Sequence, residues 1–216
     1  MERVSIFYVI WELLASLVVA IYRKFFPLPP KPLDDETVLV TGAGHGIGHH
    51  LALQLAAEHG VRNIVCWDIN QKSCDDTARE VRALLRGKGS CWSIQCDVSD
   101  REGVKKAAEM TRAQCGRVTM LINNAGILPA RPFLEFSDGE TVRKIFEVNT
   151  YSQFWTIFEF LPDMLENGGH IVSMCSAAGV APATYMVPYC AVFLSPSCDC
   201  MVAHSEVLTS PHHKSR

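Results

Sequence analysis

Between Thr37 and Gly60 the chain passes from TVLV through TGAGHGIG into HHLALQLAAEHG. A short β-branched run of this kind is a buried strand, and the apolar spacing after the glycines belongs to a helix, with Gly60 placed to end it. A strand that enters a helix through closely spaced glycines lets the backbone approach an anion, and the first N–H groups of the helix point at it. The same alternation recurs downstream. NIVCWD (63–68), CWSIQCDV (91–98), VTMLINNAG (118–126) and HIVSMCS (170–176) read as strands, with helices over 71–89, over 101–116 and from about Asp138 to Glu166. Strands alternating with helices of this length predict a doubly wound α/β fold, a parallel sheet covered on both faces. The chain contains no internal repeat.

Composition agrees with one ordinary domain plus appendages. The chain has 216 residues, 48% hydrophobic and 20% charged, so it can bury a real core. A net charge of −3 and a pI near 6.2 offer no basic face for a nucleic acid, and no such partner is expected. The nine cysteines sit mostly alone in apolar contexts, as Cys66 and Cys175 do, which suits reduced thiols in a cytosolic compartment. Cys198, Cys200 and His204 form C-x-C-x3-H, but in an irregular stretch without paired ligands on a defined turn, so no metal site is expected.

The N-terminal stretch from Ile6 to Tyr22, IFYVIWELLASLVVAIY, holds a single charge, Glu12. Its seventeen residues lie at the short end of what crosses a bilayer. Arg23, Lys24 and Lys31 follow, and this basic excess would keep the rest of the chain on the cytoplasmic side. A cleaved leader is disfavoured, because no small-x-small site follows and FFPLPPKPL reads as a stiff linker. A membrane anchor is expected, either crossing the bilayer or lying in its interface, where Glu12 and the aromatic residues would be tolerated.

Gly42, Gly46 and Gly48 give the turn its spacing, G-x3-G-x-G. Asp68 ends the second strand twenty residues beyond Gly48, where a carboxylate can hold the hydroxyls of an adenosine ribose. The same carboxylate would repel a 2′-phosphate, which favours NAD over NADP. Its alternative role is to cap the following helix.

Taken in order, TGAGHGIG, the WD at 67–68, Asp97-Val98, the NNAG at 123–126 and the series Asn149, Ser176, Tyr189 resemble the short-chain dehydrogenase/reductase superfamily, over about Glu36 to Ala191. The apolar N-terminus with its prolines, WDIN at 67–70 and FW at 154–155 resemble the membrane-anchored group of epidermal retinol dehydrogenases and lipid-droplet 17-beta-hydroxysteroid dehydrogenases. The resemblance implies a Rossmann-like domain over 34–191, between an anchor and linker at 1–33 and an irregular tail at 192–216. It implies that Thr41, Gly42, Gly44, Gly46, Ile47 and Gly48 cradle the phosphates of NAD and that Asp68 reads the ribose. Asp97 would meet the adenine amine, with Val98 beside the ring; the alternative for Asp97 is to close the turn after its strand. Asn124, Ala125 and Gly126 would lie beside the cofactor, and Asn123 and Asn124 would also tie the fourth strand to its neighbours. Asn149 would bend the long helix and hold a water for proton relay. Ser176 and Tyr189, thirteen residues apart, would be the catalytic pair; Ser173 competes for the serine but lies inside the strand. The loop from Ile127 to Ser137 would touch substrate.

The pattern breaks at position 193. The family places a lysine one helical turn after the tyrosine, and here that residue is Phe193. A tyrosine hydroxyl titrates near 10 in water. An ammonium about 4 Å away at an effective dielectric near 20 lowers this by on the order of 4 kcal/mol, roughly three pK units. The resemblance stops after Ala191, so the chain reads as truncated there, with its fifth strand left as an edge. A family-type homodimer is not expected, since the interface helix is absent. Two functions follow as expectations. One is an NAD-dependent oxidoreductase of a lipophilic alcohol or ketone, retinol- or steroid-like, at the cytosolic face of endoplasmic reticulum or lipid droplet, with its catalysis impaired. The other is an inactive product with at most a binding role.

Overall fold

The computed structural model describes residues 6–26, 32–137, 139–181 and 183–193, and divides the chain into two units, Met1–Pro32 and Leu33–Arg216. In the second unit five strands, β1 (Thr37–Thr41), β2 (Asn63–Asp68), β3 (Ser90–Gln95), β4 (Met120–Asn123) and β5 (His170–Ser173), form one sheet in the order β3-β2-β1-β4-β5. Every neighbouring pair is parallel. Between them run α2 (Gly46–Ala57), α3 (Gln71–Leu85), α4 (Arg101–Cys115) and a long helix made of α5 (Glu140–Phe146), a π-helical turn (Glu147–Tyr151) and α6 (Ser152–Asn167). A short α7 (Val187–Phe193) follows β5.

The central strands β1 and β2 are buried on both faces because they are apolar at successive positions. In β1, Val38 and Val40 pack with α2 and α3, while Leu39 points to the opposite side and packs with α4 and α6. In β2, Ile64 and Cys66 take the first side and Val65 and Trp67 the second, all fully buried. Each such Val, Leu or Ile contributes about 1.5–3 kcal/mol relative to exposure. Trp67 also satisfies its one polar atom, donating from Nε1 to Thr111 Oγ1 at 3.0 Å.

The strand–helix joints follow local chemistry. Asn70 caps α3, accepting from Ser73 N at 3.1 Å, and Asp100 caps α4, accepting from Glu102 N at 3.1 Å. The C-cap of α2 is Glu58, and Gly60 lies beyond it at φ +68°, turning the chain so that Val61 N donates back to Leu55 O. β3 starts at Ser90 and stops at Gln95, short of the run expected to Val98, because Asp97 turns the chain there with its own side chain. Among the described residues β5 forms the sheet edge beside β4.

The chain winds outward from β1 through β2 to β3, then returns to place β4 on the other side of β1. At that reversal the loops after β1 and β4 border a crevice at the carboxyl ends of the strands, the place where open α/β sheets bind ligands.

The first unit contains α1 (Ile6–Phe25). Glu12 in its first half, with Arg23 and Lys24 in its last turn, leaves Leu13 to Tyr22 as its longest uncharged run. Among the described residues no helix is long and apolar enough to cross a membrane. The crossing form of the expected anchor therefore has no support in the structure. Leu14, Leu17, Val18 and Ile21 are exposed along the helix. The tail from 194 onward, including Cys198, Cys200 and His204, lies outside the described residues.

Candidate active site

The glycine turn is closed by backbone contacts that leave no room for side chains. Gly42 has φ +66°, and a Cβ on it would sit 2.8 Å from Ala125 Cα; one on Gly44 would meet the Asp68 carboxylate at 2.8 Å, and one on Gly48 would run into Gly42 O. Gly46, at φ +55°, needs glycine for its backbone alone, since the space beside it is open. Asp68, 8% exposed, accepts from Gly44 N at 2.8 Å through Oδ2 and from Asn70 N at 2.9 Å through Oδ1. It therefore pins the turn after β1 to the end of β2 and does not cap α3, which Asn70 does. Unlike α3 and α4, α2 begins without a side-chain cap at His45, which makes no capping hydrogen bond to its first N–H groups. Ile47 on this first turn is exposed.

Thr41 and Asn124 hold the two sides of the crevice together. Thr41 Oγ1 accepts from Asn124 N at 3.0 Å and Ala125 N at 3.1 Å, and donates to Ile122 O at 3.4 Å. The Asn124 side chain donates from Nδ2 to Thr41 O at 2.9 Å and Gly42 O at 3.3 Å. Asn124 thus spends its amide hydrogens on the turn after β1. Asn123 faces the other way, its Oδ1 accepting from Thr156 Oγ1 of α6 at 2.8 Å.

Two cavities open along this crevice. One, of about 170 Å³, is lined by Gly42, Asp68, Asp97, Val98, Val148 and Lys144 among others. The other, of about 190 Å³, is lined by Ile47, Leu128, Asn149, Met174, Tyr189 and Phe193 among others. Ala125, Gly126 and Ile127 border both. Of the loop expected to meet substrate, Ile127 and Leu128 reach the Tyr189 cavity.

Asn149 lies in the π-helical turn and is 3% exposed. Its Oδ1 accepts from Ile127 N at 2.8 Å and its Nδ2 donates to Ile127 O at 2.9 Å, as a strand partner would. Its backbone carbonyl accepts from Gln153 Nε2 at 2.9 Å. Tyr189 projects from α7, and its ring lies 4.8 Å from that of Phe193 one turn later. Ser176 follows Cys175, which lines the Tyr189 cavity; Ser176 itself does not, and its Oγ accepts from Ala178 N at 3.2 Å. The structure thus gathers Tyr189, Asn149 and the 125–126 backbone at one cavity, with Ser176 just outside its wall.

Asp97 takes the turn role. Its Oδ1 accepts from Ser99 N at 2.9 Å and Ser99 Oγ at 2.6 Å, and its Oδ2 pairs with Lys144 Nζ at 3.4 Å. Burial pushes the Asp97 carboxyl up, but the Ser99 hydrogen bonds and the Lys144 ammonium outweigh it and hold the group below the usual carboxylate range. Lys144 and Gln153 were not singled out by the motifs. The signal for Lys144 is helical spacing: it stands one turn before Val148, on the face that lines the Asp97 cavity.

The family model described as short chain dehydrogenase matches residues 36–192. Epidermal retinol dehydrogenase 2 of Homo sapiens is 38% identical over 188 residues, 87% of this chain and 59% of that protein. The 17-beta-hydroxysteroid dehydrogenase 13 of Homo sapiens is 36% identical over 190 residues, 84% and 61% of the two chains. Among solved structures, a 7 alpha-hydroxysteroid dehydrogenase complexed with NADH and 7-oxo glycochenodeoxycholic acid superposes with a TM-score of 0.68 at 29% identity, over 76% of this chain and 62% of that one. The chain spans about three fifths of the length of these relatives.

Proposed function

The chain belongs to the short-chain dehydrogenase family, and on that footing we propose that it binds a nicotinamide adenine dinucleotide, NAD in preference to NADP, across the crevice between β1 and β4. One observation carries the proposal. The Asp68–Asp97 cavity and the Tyr189 cavity meet at the Ala125–Ile127 backbone, so a single two-ended ligand can reach both. The residues present fit such a ligand. The glycines of 42–48 leave the backbone bare, α2 offers N–H groups at a helix N-terminus to a pyrophosphate, and the Asp68 carboxylate faces the cavity where a ribose would lie. A second negative charge as a 2′-phosphate would be repelled there, which is the reason for choosing NAD.

The proposed reaction interconverts a lipophilic alcohol, retinol- or steroid-like, and its carbonyl form. The apolar Ile47, Leu128 and Met174 in the Tyr189 cavity suit such a substrate. When bound, the nicotinamide accepts the hydride in oxidation and returns it in reduction. Tyr189 takes the hydroxyl proton as the carbonyl forms and gives it back in the reverse direction. Ser176, beside the Cys175 wall of this cavity, would turn its hydroxyl to donate to the substrate oxygen, while its Oγ accepts from Ala178 N. Asn149 holds the Ile127 wall of the same cavity in place.

Phe193 favours a second reading, in which nucleotide binds and turnover is slight. Where the family keeps an ammonium, this chain packs an apolar ring against Tyr189. For the membrane, we place α1 in the interface of the endoplasmic reticulum or lipid droplet, apolar side inward, so that the catalytic unit faces the cytosol. Flotation of the full chain with phosphatidylcholine vesicles, abolished by removal of residues 1–26, is the expected result; recovery of the full chain in the vesicle-free fraction would refute it.

The test of function is titration of the purified chain with NAD and NADP, followed by turnover on retinol and steroid panels. Saturable NAD binding with weaker NADP binding supports the cofactor assignment, and equal or reversed affinities overturn the choice of NAD. Turnover that survives Tyr189→Phe would remove Tyr189 from its role.

A further inference from the structure

We propose that Lys144 is a positioning residue for the adenine end of the nucleotide site, holding the Asp97 carboxylate and the wall of its cavity in the binding geometry. The inference rests on the cofactor reading above and adds to it a residue outside the motif set. Lys144 Nζ donates to Ser99 Oγ and lies 3.4 Å from Asp97 Oδ2. Asp97 Oδ1 is already occupied by Ser99 N and Oγ. That leaves Oδ2 as the oxygen able to accept from a purine amine, and Lys144 is the cation that fixes it. The contact joins residues 47 positions apart, tying α5 to the turn after β3. Lys144, Asp97, Val98 and Val148 all line the 170 Å³ cavity, so the tie runs along its rim.

A cation in this position does two things. It adds to the Ser99 hydrogen bonds in favouring the ionised Asp97 carboxylate, whose oxygens can accept. It also ties the turn that carries Val98 to the helix that leads into Val148, and both of these apolar residues line the same cavity. Both side chains of the pair are part-exposed, Lys144 at 43% and Asp97 at 37%, so water screens the attraction and the effect on binding is moderate.

The test compares the full-length wild type with Lys144→Met and Lys144→Arg by NMR titration with AMP and, separately, nicotinamide mononucleotide. Lys144→Met is expected to weaken AMP binding about fivefold. It should leave nicotinamide mononucleotide affinity and the thermal midpoint unchanged, and Lys144→Arg should restore AMP affinity by keeping the cation. Unchanged AMP affinity in Lys144→Met overturns the inference. So does an equal loss for both fragments, which would mark a general effect on the fold. A wild type that binds neither AMP nor NAD overturns the cofactor reading itself, and this inference with it.

Discussion

Tyr189 and Phe193 stand one helical turn apart on α7, with their rings 4.8 Å apart. In that arrangement the hydroxyl's nearest neighbour along the helix supplies contact area and no charge. Replacing Phe193 by lysine puts an ammonium where the family keeps one. If the proposed chemistry is right, Phe193→Lys raises kcat for alcohol oxidation at neutral pH on the order of 10²-fold, the scale of a general base brought into working range. Steady-state rates on the best substrate of the panel measure it, and no gain would show that Phe193 is not what limits the site. Asp68 makes a different point at the same scale. From sequence it could have been a helix cap or a ligand-reading carboxylate, and its two accepted bonds, from Gly44 N and Asn70 N, exclude the first.

Among the elements, the long helix after β4 is the informative one. The sequence pattern predicts it as a single helix from about Asp138 to Glu166, and α5 and α6 cover that span. Between them the π-helical turn at Glu147–Tyr151 carries Asn149. No periodicity announces such a turn, because it adds one residue to the backbone ladder without changing which residues are apolar. Its effect is to present the Asn149 amide to the backbone of Ile127, in a segment that has no strand partner of its own there. Asn149→Leu preserves size and leaves the Ile127 N–H and C=O without those partners. We expect about 2–4 kcal/mol of lost stability in urea unfolding, together with faster hydrogen exchange at Ile127. A variant as stable as wild type would mean that water replaces the side chain at no cost.

Over the whole molecule, the thiols buried in and around the sheet set a limit in alkali. Burial pushes Cys74 and Cys96 up to about 12, and Cys115 to about 11, from an ordinary 9. Cys66 is raised by its contact with Cys91, their sulfurs 3.8 Å apart, and by burial. In the folded chain these groups stay protonated while the unfolded chain releases protons from about pH 9 upward. The unfolded state then binds fewer protons, so stability is fully present below pH 9 and falls as pH rises toward 11–12. Urea midpoints measured from pH 7 to 11 should decline above 9, and a flat profile would contradict the burial of these thiols.

Much of this protein was legible in the chain. NIVCWD is β2 residue for residue, and Arg101 opens α4 where the pattern predicts a helix. The order of apolar runs and glycines dictated a parallel sheet, because strands buried on both faces must be apolar at successive positions and a parallel return must pass through a helix. The glycine turn was equally readable, since only glycine tolerates φ +66° with another backbone at contact distance. The anchor was read from length and apolarity alone, and among the described residues no helix is long and apolar enough to cross a membrane. What tertiary structure alone decided are relations between distant segments: Asn149 paired with Ile127 and Lys144 with Asp97. Each is a polar side chain satisfied by a partner from another loop. Such pairings depend on how the strands align, which apolar periodicity does not record.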